Sequence, residues 1–419
     1  MKSPEEIKGE FTERCTACGL CAAMCPAFAH RKVPGTCQTI QRDIRSYLEG
    51  GSPTDAVIER SQLCNECFLC VTDTCPQGLD PMRFNQLLRG LLNKEGARPL
   101  PFIPPSDPAS DERVVASLIT TGEEYLRITT PAVKGDGRIL FFPGCNIYYQ
   151  PNLLLTALDL LDLVVEHWTY LPGLDNCCGS NYDSAGRLSE GSRAIKCLAR
   201  AMMEKEFEKI VVWCSTCAVR LQLDGFEKPV ITFARLIADE LGEMPQGRFF
   251  GDGVTLQEPC KDAYMDMDPM APREVLRLVT GEPPKEMTRH GKDTVCCGWA
   301  LRKHRPEIWE EELKKRLAEA GETGADTLAT VCHGCQWIMD RTESQTSVRV
   351  RNYITLAGES VGIHHPERFR ELRVLGERKM ALEALRKEIG DPFERLPYEK
   401  SRILKAVDMI LGSFYGRGA

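Results

Sequence analysis

Two similar cysteine patterns in the C-terminal half of the chain contain the residues best suited to chemistry. Each consists of a single cysteine, a Cys-Cys-Gly triplet and a closing Cys-x-x-Cys pair. The members are Cys145, Cys177, Cys178, Cys214 and Cys217 in the first copy, and Cys260, Cys296, Cys297, Cys332 and Cys335 in the second. A four-coordinate metal ion or a cubane cluster needs only four protein ligands. Because each copy supplies five thiols, we predict an unusual iron–sulfur cluster at each.

Two further cysteine runs near the N-terminus have the spacing of a bacterial two-cluster ferredoxin. The first ends in Cys-Pro at Pro26, and the second ends in Cys-Pro at Pro76 with one extra residue before its last cysteine. In such runs the fourth cysteine binds the cluster of the other run. We therefore predict two cubane [4Fe-4S] clusters, one held by Cys15, Cys18, Cys21 and Cys75, and the other held by Cys64, Cys67, Cys70 and Cys25. Structural zinc, the alternative, fits this spacing poorly.

These N-terminal clusters would relay electrons, because a cubane with four cysteine ligands leaves no position for a substrate. The chain of 419 residues is long enough for two or three domains. Its twenty cysteines fall in tight clusters, which suits metal ligation better than the cross-links of a secreted protein. The first six residues lack the apolar stretch of a signal peptide, and no apolar run is long enough for a transmembrane helix. We therefore expect a cytoplasmic protein with reduced thiols.

The predicted elements divide the chain into five regions. Helices at 41–49 and 84–94 place the N-terminal cysteines in a small helical ferredoxin-type domain over residues 1–97. A proline-rich linker and one helix at 112–127 span residues 98–136. Two repeated domains follow at 137–248 and 249–365, each with one Cys-Cys-Gly triplet, from which we call them CCG domains. A helical C-terminal extension covers 366–419.

Both repeats alternate strands and helices, which predicts parallel βαβ units. In the first, strands are expected at 138–142, 164–170 and 209–213, with helices at 152–163 and 189–207. In the second, strands are expected at 254–257 and 327–331, with helices at 272–279 and 306–320. The fold class is therefore α+β multidomain: a helical two-cluster ferredoxin domain followed by two α/β CCG domains with parallel sheets. Cys145, Cys214, Cys260 and Cys332 follow strands, and ligand sites collect at those ends.

The cysteine patterns resemble those of the heterodisulfide reductase family. The Cys…Cys-Cys-Gly…Cys-x-x-Cys pattern resembles the CCG domain of its B subunit, and the N-terminal runs resemble its C subunit. Fused in this order, they resemble the D subunit of heterodisulfide reductase over about residues 10 to 365. The resemblance implies that each five-cysteine set holds a non-cubane [4Fe-4S] cluster, so that the ten cysteines are catalytic. It also implies that the paired clusters face each other and split a disulfide, one sulfur at each.

A wider group of CCG proteins offers an alternative function. It includes the iron–sulfur subunits of glycolate, lactate and glycerol-3-phosphate dehydrogenases, which pass electrons from a flavin partner and have no substrate chemistry of their own. Related subunits also serve bifurcating flavoproteins. The repeats of the dehydrogenase subunits often lack one cysteine of the closing pair, whereas both pairs are complete here. Because both closing pairs are complete, we favour disulfide reduction as the function. The role of an electron-transfer subunit stays the alternative.

The electron source is expected to be a partner protein. The sequence contains no glycine-rich dinucleotide fingerprint and no phosphate-binding loop. We therefore expect a flavoprotein, a ferredoxin-like protein or a membrane cytochrome as the donor, and a small-molecule disulfide or thiol as the substrate. The chain would lie in the cytoplasm, either free or attached to a membrane through its partner. A net charge of −7 gives no reason to expect nucleic acid.

Several residues near the cysteines are secondary candidates. Trp299, Arg302, Lys303 and His304 follow the second Cys-Cys-Gly triplet and are equally consistent with a substrate-anion site or a solvated helix end. Lys261 and Arg220 adjoin ligands, but the sequence does not fix which way they face. His333 is a candidate proton donor, although filling a turn is the commoner role of such a residue. Cys37 and Cys197 belong to neither pattern, and we predict that Cys197 is a buried structural thiol.

Overall fold

A computed structural model of the chain describes residues 2–72, 74–94, 103–242, 251–298, 301–302, 305–340, 343 and 346–412. The N-terminal part is a bundle of helices with the cysteine runs on the loops between them, apart from Cys21, which lies in a short helix. Its helices are α1 (Pro4–Arg14), α2 (Leu20–Ala23), α3 (Cys37–Leu48), α4 (Asp55–Gln62) and α5 (Pro81–Lys94). The rings of Phe11 and Phe84 stack at a centroid distance of 3.5 Å and join α1 to α5. This core fixes the loops that present the thiols.

Two helices lead from this bundle to the first sheet, where the sequence predicted a single helix. They are α6 (Asp111–Ile119) and α7 (Gly122–Thr129). The helical run is interrupted at Thr121. The Thr121 hydroxyl accepts a hydrogen bond from the amide of Glu124 at 3.2 Å. The Glu124 carboxylate in turn accepts one from the Thr121 amide at 2.8 Å. This capping box starts a new helix, so the single-helix prediction was wrong.

The first CCG repeat is built on a five-stranded sheet. Its strands are β1 (Ala132–Lys134), β2 (Ile139–Phe142), β3 (Trp168–Tyr170), β4 (Lys209–Val212) and β5 (Val230–Thr232). They lie in the order β1-β3-β2-β4-β5, and every neighbouring pair is parallel except β1 with β3. The helices are α8 (Pro151–Val164), α9 (Ser180–Ser184), α10 (Leu188–Met203), α11 (Ser215–Leu223) and α12 (Phe233–Leu241). All four residues of β2 are buried, as a parallel strand covered on both faces requires.

The second repeat copies the central part of the first. Its strands are β6 (Val254–Gln257), β7 (Thr327–Thr330) and β8 (Arg349–Asn352), all parallel. They correspond to β2, β4 and β5, and a single bridge between Thr255 and Lys285 takes the place of β3. The helices are α13 (Cys260–Met265), α14 (Ala271–Thr280), α15 (Pro306–Glu322), α16 (His333–Met339) and α17 (Tyr353–Ser360). The predicted fold class is confirmed.

The C-terminal residues form a further helical layer. The helices are α18 (Arg368–Leu375), α19 (Arg378–Ile389), α20 (Pro392–Arg395) and α21 (Lys400–Leu411). Their apolar faces pack on α6 and on Trp337. The Arg395 guanidinium donates to the carbonyl oxygens of Ser117 at 2.8 Å and Thr120 at 3.2 Å, which satisfies the end of α6. The extension is therefore part of the folded body.

The two CCG repeats share one hydrophobic core, in which α8 and α12 of the first pack with α14 and α17 of the second. The proposed boundaries near 97 and 248 fall outside the described residues, and all the domain boundaries stay predictions. No helix in the described ranges is both long and apolar enough to cross a bilayer.

Helix α5 docks the N-terminal bundle onto the first CCG repeat. The Arg89 guanidinium donates to the carbonyl oxygen of Ser184 at 3.0 Å, and the Asn93 amide donates to that of Ala185 at 3.0 Å. Between these contacts the backbones of Gly90 and Gly186 meet. A Cβ placed on Gly90 would lie 2.4 Å from the Gly186 carbonyl oxygen. Only a residue without a side chain permits this approach.

Replacing Gly90 with alanine is therefore expected to destabilise the protein. Alanine is intrinsically better than glycine in a helix by about 1 kcal/mol, but here overpacking should outweigh that gain and cost about 1–3 kcal/mol. Urea denaturation followed by circular dichroism measures the difference. The matched control is Gly9→Ala in α1, where nothing lies within 4 Å of the added Cβ. If the two variants change stability alike, α5 is not docked as described.

Candidate functional site

The thiols of Cys15, Cys18, Cys21 and Cys75 line one cavity in the N-terminal bundle. The Gln41 side chain reaches into the same place from α3. Its amide nitrogen donates to the Cys15 sulfur at 3.7 Å, and its carbonyl oxygen lies 3.6 Å from the Cys21 sulfur. Gln41 was not among the predicted site residues, although it lies on a helix between the two cysteine runs. Such hydrogen bonds to sulfur adjust the potential of a cluster.

A second cavity is lined by Cys25, Cys64, Cys67 and Cys70. The fourth cysteine of each run is thus brought to the other run's loop, which is the exchange that the two-cluster assignment needs. Glu66 and Phe68 have positive φ angles of 54° and 72° in this loop. Strained backbone of this kind persists only where the surroundings hold it.

Arg60 lies between these two cavities. It is buried, and its guanidinium donates to the Cys21 carbonyl oxygen at 3.2 Å. Burial favours its neutral form, but the charges of the Cys25, Cys21, Cys70 and Cys64 thiolates outweigh burial and raise the pKa of Arg60. A permanent cation therefore separates the two candidate cubane sites.

The five thiols of the first CCG set form a continuous group. Hydrogen bonds join Cys145 to Cys177, Cys177 to Cys178, Cys178 to Cys217 and Cys217 to Cys214. Cys178 and Cys217 are almost fully buried, at 3% and 2% exposure. Cys214 occupies the N-cap position of α11, and a hydrogen bond from the Cys217 thiol lowers the pKa of Cys214 to about 7. A thiolate at that position is an available metal ligand.

The second CCG set repeats the same order of contacts. Hydrogen bonds join Cys260 to Cys296, Cys296 to Cys297, Cys297 to Cys335 and Cys335 to Cys332. Cys332 occupies the N-cap position of α16 as Cys214 does in α11. A hydrogen bond from the Cys335 thiol lowers the pKa of Cys332. The order of contacts is therefore the same in the two sets.

The glycine of each Cys-Cys-Gly triplet permits a tight backbone turn that a larger residue would prevent. Gly179 and Gly298 both have a φ of +82°. A Cβ on Gly179 would lie 2.4 Å from the Gly191 carbonyl oxygen, and one on Gly298 would lie 2.7 Å from Cδ1 of Trp309. The resulting turn lets the amide of Gly179 donate to the Cys177 sulfur at 3.3 Å, and that of Gly298 donate to the Cys296 sulfur at 3.5 Å. Both sets thus receive backbone donors that favour anionic sulfur.

The two five-thiol sets approach each other through one cysteine of each closing pair. The Cys214 and Cys332 thiols are close enough to act electrostatically on one another. The indole of Trp213 donates to Nδ1 of His333 at 3.2 Å, and the Gln150 amide donates to the His333 carbonyl oxygen at 2.7 Å. Burial lowers the pKa of His333 to about 4. His333 therefore joins the two repeats as a buried neutral side chain.

Asp183, which sequence reasoning missed, forms a buried ion-pair centre between the bundle and the first repeat. Its carboxylate is fully buried and lies 2.5 Å from Nη1 of Arg83 on α5. The Arg220 guanidinium of α11 pairs with the same carboxylate. Arg220 therefore helps to stabilise the interface between the N-terminal bundle and the first repeat. Nearby, the Glu66 carboxylate accepts hydrogen bonds from Arg89 and from the Ser184 hydroxyl, each at 2.6 Å.

The other secondary candidates have mixed outcomes. Trp299, Lys303 and His304 lie outside the described residues. Arg302 is buried, with its guanidinium 5.9 Å from the Trp337 ring centroid. Cys197 is exposed, so the prediction of a buried thiol was wrong. It lies beside the buried stripe of α10, which consists of Leu188, Gly191, Ile195, Leu198 and Met202.

The donor chemistry of these sites fits iron–sulfur clusters. All twenty cysteines are free thiols. Among the described residues, no group of three or more His, Cys, Asp and Glu side chains is arranged to hold a single metal ion. The N-terminal thiols instead surround two cavities, and the CCG thiols are accompanied by amide donors and helix N-termini. Such donors stabilise anionic clusters.

Comparison with known protein families identifies the N-terminal bundle and the two CCG repeats as separate units. A family of 4Fe-4S dicluster domains matches residues 14–80, and the CCG family of cysteine-rich domains matches residues 139–222 and 254–340. The fold and the sites thus define the class of the chain: it is an iron–sulfur protein in which a dicluster module precedes two CCG domains.

Within that class the chain is similar over most of its length to the D subunit of heterodisulfide reductase. It is 25% identical over 400 residues to the D subunit of the dihydromethanophenazine:CoB–CoM heterodisulfide reductase of Methanosarcina mazei, and the match covers 84% of this chain and 94% of the relative. The Methanosarcina barkeri protein of the same name is 23% identical with the same coverage. An uncharacterized iron–sulfur protein of Methanococcus maripaludis is 24% identical, with 80% of this chain and 68% of the relative covered. The predicted resemblance is confirmed.

Proposed function

We propose that this chain is the iron–sulfur subunit of a heterodisulfide-reductase-like complex, which passes electrons through two cubane [4Fe-4S] clusters to paired non-cubane [4Fe-4S] clusters that reduce a disulfide. The coarser part of this statement, an iron–sulfur electron-transfer subunit, already follows from the family matches and the relatives. The finer part concerns the ten CCG cysteines and their substrate. The relatives are named for a CoB–CoM heterodisulfide, and we transfer to this chain only the class, a disulfide of two small thiols.

The observation that carries the proposal is the pairing of two complete five-thiol sets. Each set is held together by thiol–thiol contacts in the same order, and the sets approach each other at Cys214 and Cys332. A four-ligand relay site has no need of a fifth thiol. Two adjacent sites suit a disulfide, because each site can bind one of its two sulfurs.

The reaction balances with two electrons and two protons: RSSR′ + 2e⁻ + 2H⁺ gives RSH and R′SH. The bound clusters supply these electrons and soft iron sites for thiolate sulfur. The protein's own residues hold the ten ligand thiols, direct the amides of Gly179 and Gly298 at sulfur, and bury the second cysteine of each closing pair. The electrons come from a partner protein, either a flavoprotein, a ferredoxin-like protein or a membrane cytochrome.

The order of the relay is supported by the position of the second cubane cavity. The thiol of Cys67 acts electrostatically on those of Cys260 and Cys296. Cys64 and Cys70 share a hydrophobic cluster with Cys178 and Cys217. The cavity of Cys15, Cys18, Cys21 and Cys75, the outer cavity, adjoins the inner one through Arg60, which lines the inner cavity and donates to the Cys21 carbonyl oxygen. We infer that electrons enter at that outer cavity and leave the bundle through the inner one.

The test is the response of anaerobically purified, oxidised protein to thiols. The CoM thiol, the CoB thiol and glutathione are added separately, and paramagnetic resonance spectra are recorded. A new signal with at least one thiol, together with disulfide-dependent oxidation of a reduced viologen dye, is the expected result. A full complement of iron with no response to any thiol would favour the electron-transfer subunit of a flavin dehydrogenase or bifurcating complex.

A further inference from the structure

Lys261 contacts parts of three cluster-binding motifs. It directly follows Cys260, the first thiol of the second CCG set. Its ammonium donates to the Thr216 hydroxyl at 2.7 Å, and Thr216 lies inside the closing pair of the first set. The same ammonium lies 5.8 Å from the centroid of the Phe68 ring, between two ligands of the inner cubane site. One cation therefore lies beside a residue of each of the three motifs.

Carboxylates and thiols both lie close enough to this ammonium to act on its charge. Its hydrogen-bond partner is a hydroxyl rather than a carboxylate. The groups that act on it are the Glu66 and Asp262 carboxylates and the thiols of Cys260, Cys214 and Cys178, which would carry negative charge as cluster ligands. Lys261 also lies in the first turn of α13, where the helix dipole disfavours a cation. Nearby anionic clusters would offset that cost.

We propose that Lys261 is a positioning residue that fixes a positive charge at the junction of the inner cubane site and both CCG sites, and so raises the reduction potentials of the clusters bound there. The inference rests on the proposed function, because it needs clusters at all three places. A charge in a partly buried region is weakly screened and acts over several ångströms. Raised potentials at the inner sites draw electrons forward from the outer cubane. Arg60, the buried cation between the two cubane cavities, is the equivalent feature one step earlier.

The experiment is a redox titration of the cluster-loaded protein followed by paramagnetic resonance. Lys261→Met and Lys261→Gln remove the charge and keep most of the side-chain volume, whereas Lys261→Arg retains the charge. Lys285→Met is the control, because the Lys285 ammonium bonds the carbonyl oxygens of Asp252 and Gly324 at the opposite end of the second sheet. Iron content is measured for each variant.

In both neutral variants the CCG signals and one of the two cubane signals should shift to lower potential. The ratio of reduced to oxidised cluster at a fixed potential should fall about tenfold, which is a shift of about 59 mV for a one-electron couple. The other cubane signal, Lys261→Arg and Lys285→Met should remain near the wild type. Unchanged potentials in both neutral variants, or equal shifts in all signals, would overturn the inference while leaving disulfide reduction intact. An absence of CCG signals in the wild type would instead contradict the proposed function.

Discussion

Replacing Cys178 with alanine is expected to remove one cluster and to abolish disulfide reduction. Cys178 is the middle thiol of the first set and touches both Cys177 and Cys217. Its loss should lower iron by about four atoms per chain. Activity should fall by more than about 100-fold, since even partners outside the ligand set cost 10–100-fold. Cys297→Ala, the equivalent change in the second set, should do the same. Iron analysis and the viologen assay measure both effects.

The control for these variants is Cys197→Ala. Cys197 is exposed and lies outside both cysteine patterns, so its replacement should preserve the iron content and the activity. The paired-cluster proposal requires both CCG sites. It would be contradicted if either Cys178→Ala or Cys297→Ala retained disulfide reduction near the wild-type rate.

Replacing Asp183 with asparagine is expected to cause the largest loss of stability. The fully buried carboxylate pairs with Arg83 of the N-terminal bundle and with Arg220 of the first CCG repeat. Removing its charge leaves two guanidinium groups without a buried counter-ion, which costs about 3–5 kcal/mol. The variant should unfold at lower urea concentration, followed both by circular dichroism and by the visible absorption of the clusters.

The matched control is Glu190→Gln, which breaks the exposed pair between Glu190 and Arg187 at 2.9 Å. An exposed pair contributes about 0–1 kcal/mol, so this variant should resemble the wild type. Since Asp183 joins the two units, its replacement should also slow electron transfer from the bundle to the CCG sites. If the two variants are equally stable, the buried ion pairs do not hold the units together.

Much of the fold could be predicted because hydrophobic runs and proline or glycine signals are local. The strand at Val254–Gln257 has the predicted bounds. The helix at Pro306–Glu322 begins at the predicted proline. The capping signal at Thr121 and Glu124 was present in the sequence but was overlooked, and the helix was predicted without a break. Strand β3 is shorter than predicted because residues 164–167 end α8 and turn before Trp168.

The groups that join the units could not be predicted, because they depend on contacts between distant parts of the chain. Asp183 and Arg83 are a hundred residues apart, and nothing in either neighbourhood indicates a partner. The orientation of Lys261 was open for the same reason. The exposure of Cys197, by contrast, could have been predicted from the sequence, because helical spacing alone places it beside the buried stripe of α10. The spacing of the ligand cysteines is a local property of the sequence, whereas the way the sites come together depends on contacts between distant residues.

The central claim is that ten thiols in the C-terminal half hold two clusters in addition to the two of the N-terminal bundle. Iron and acid-labile sulfide analysis of anaerobically purified protein tests it most directly. Four clusters of the [4Fe-4S] type predict about sixteen irons per chain. A value near eight, with the paramagnetic signals of two cubanes alone, would contradict the account.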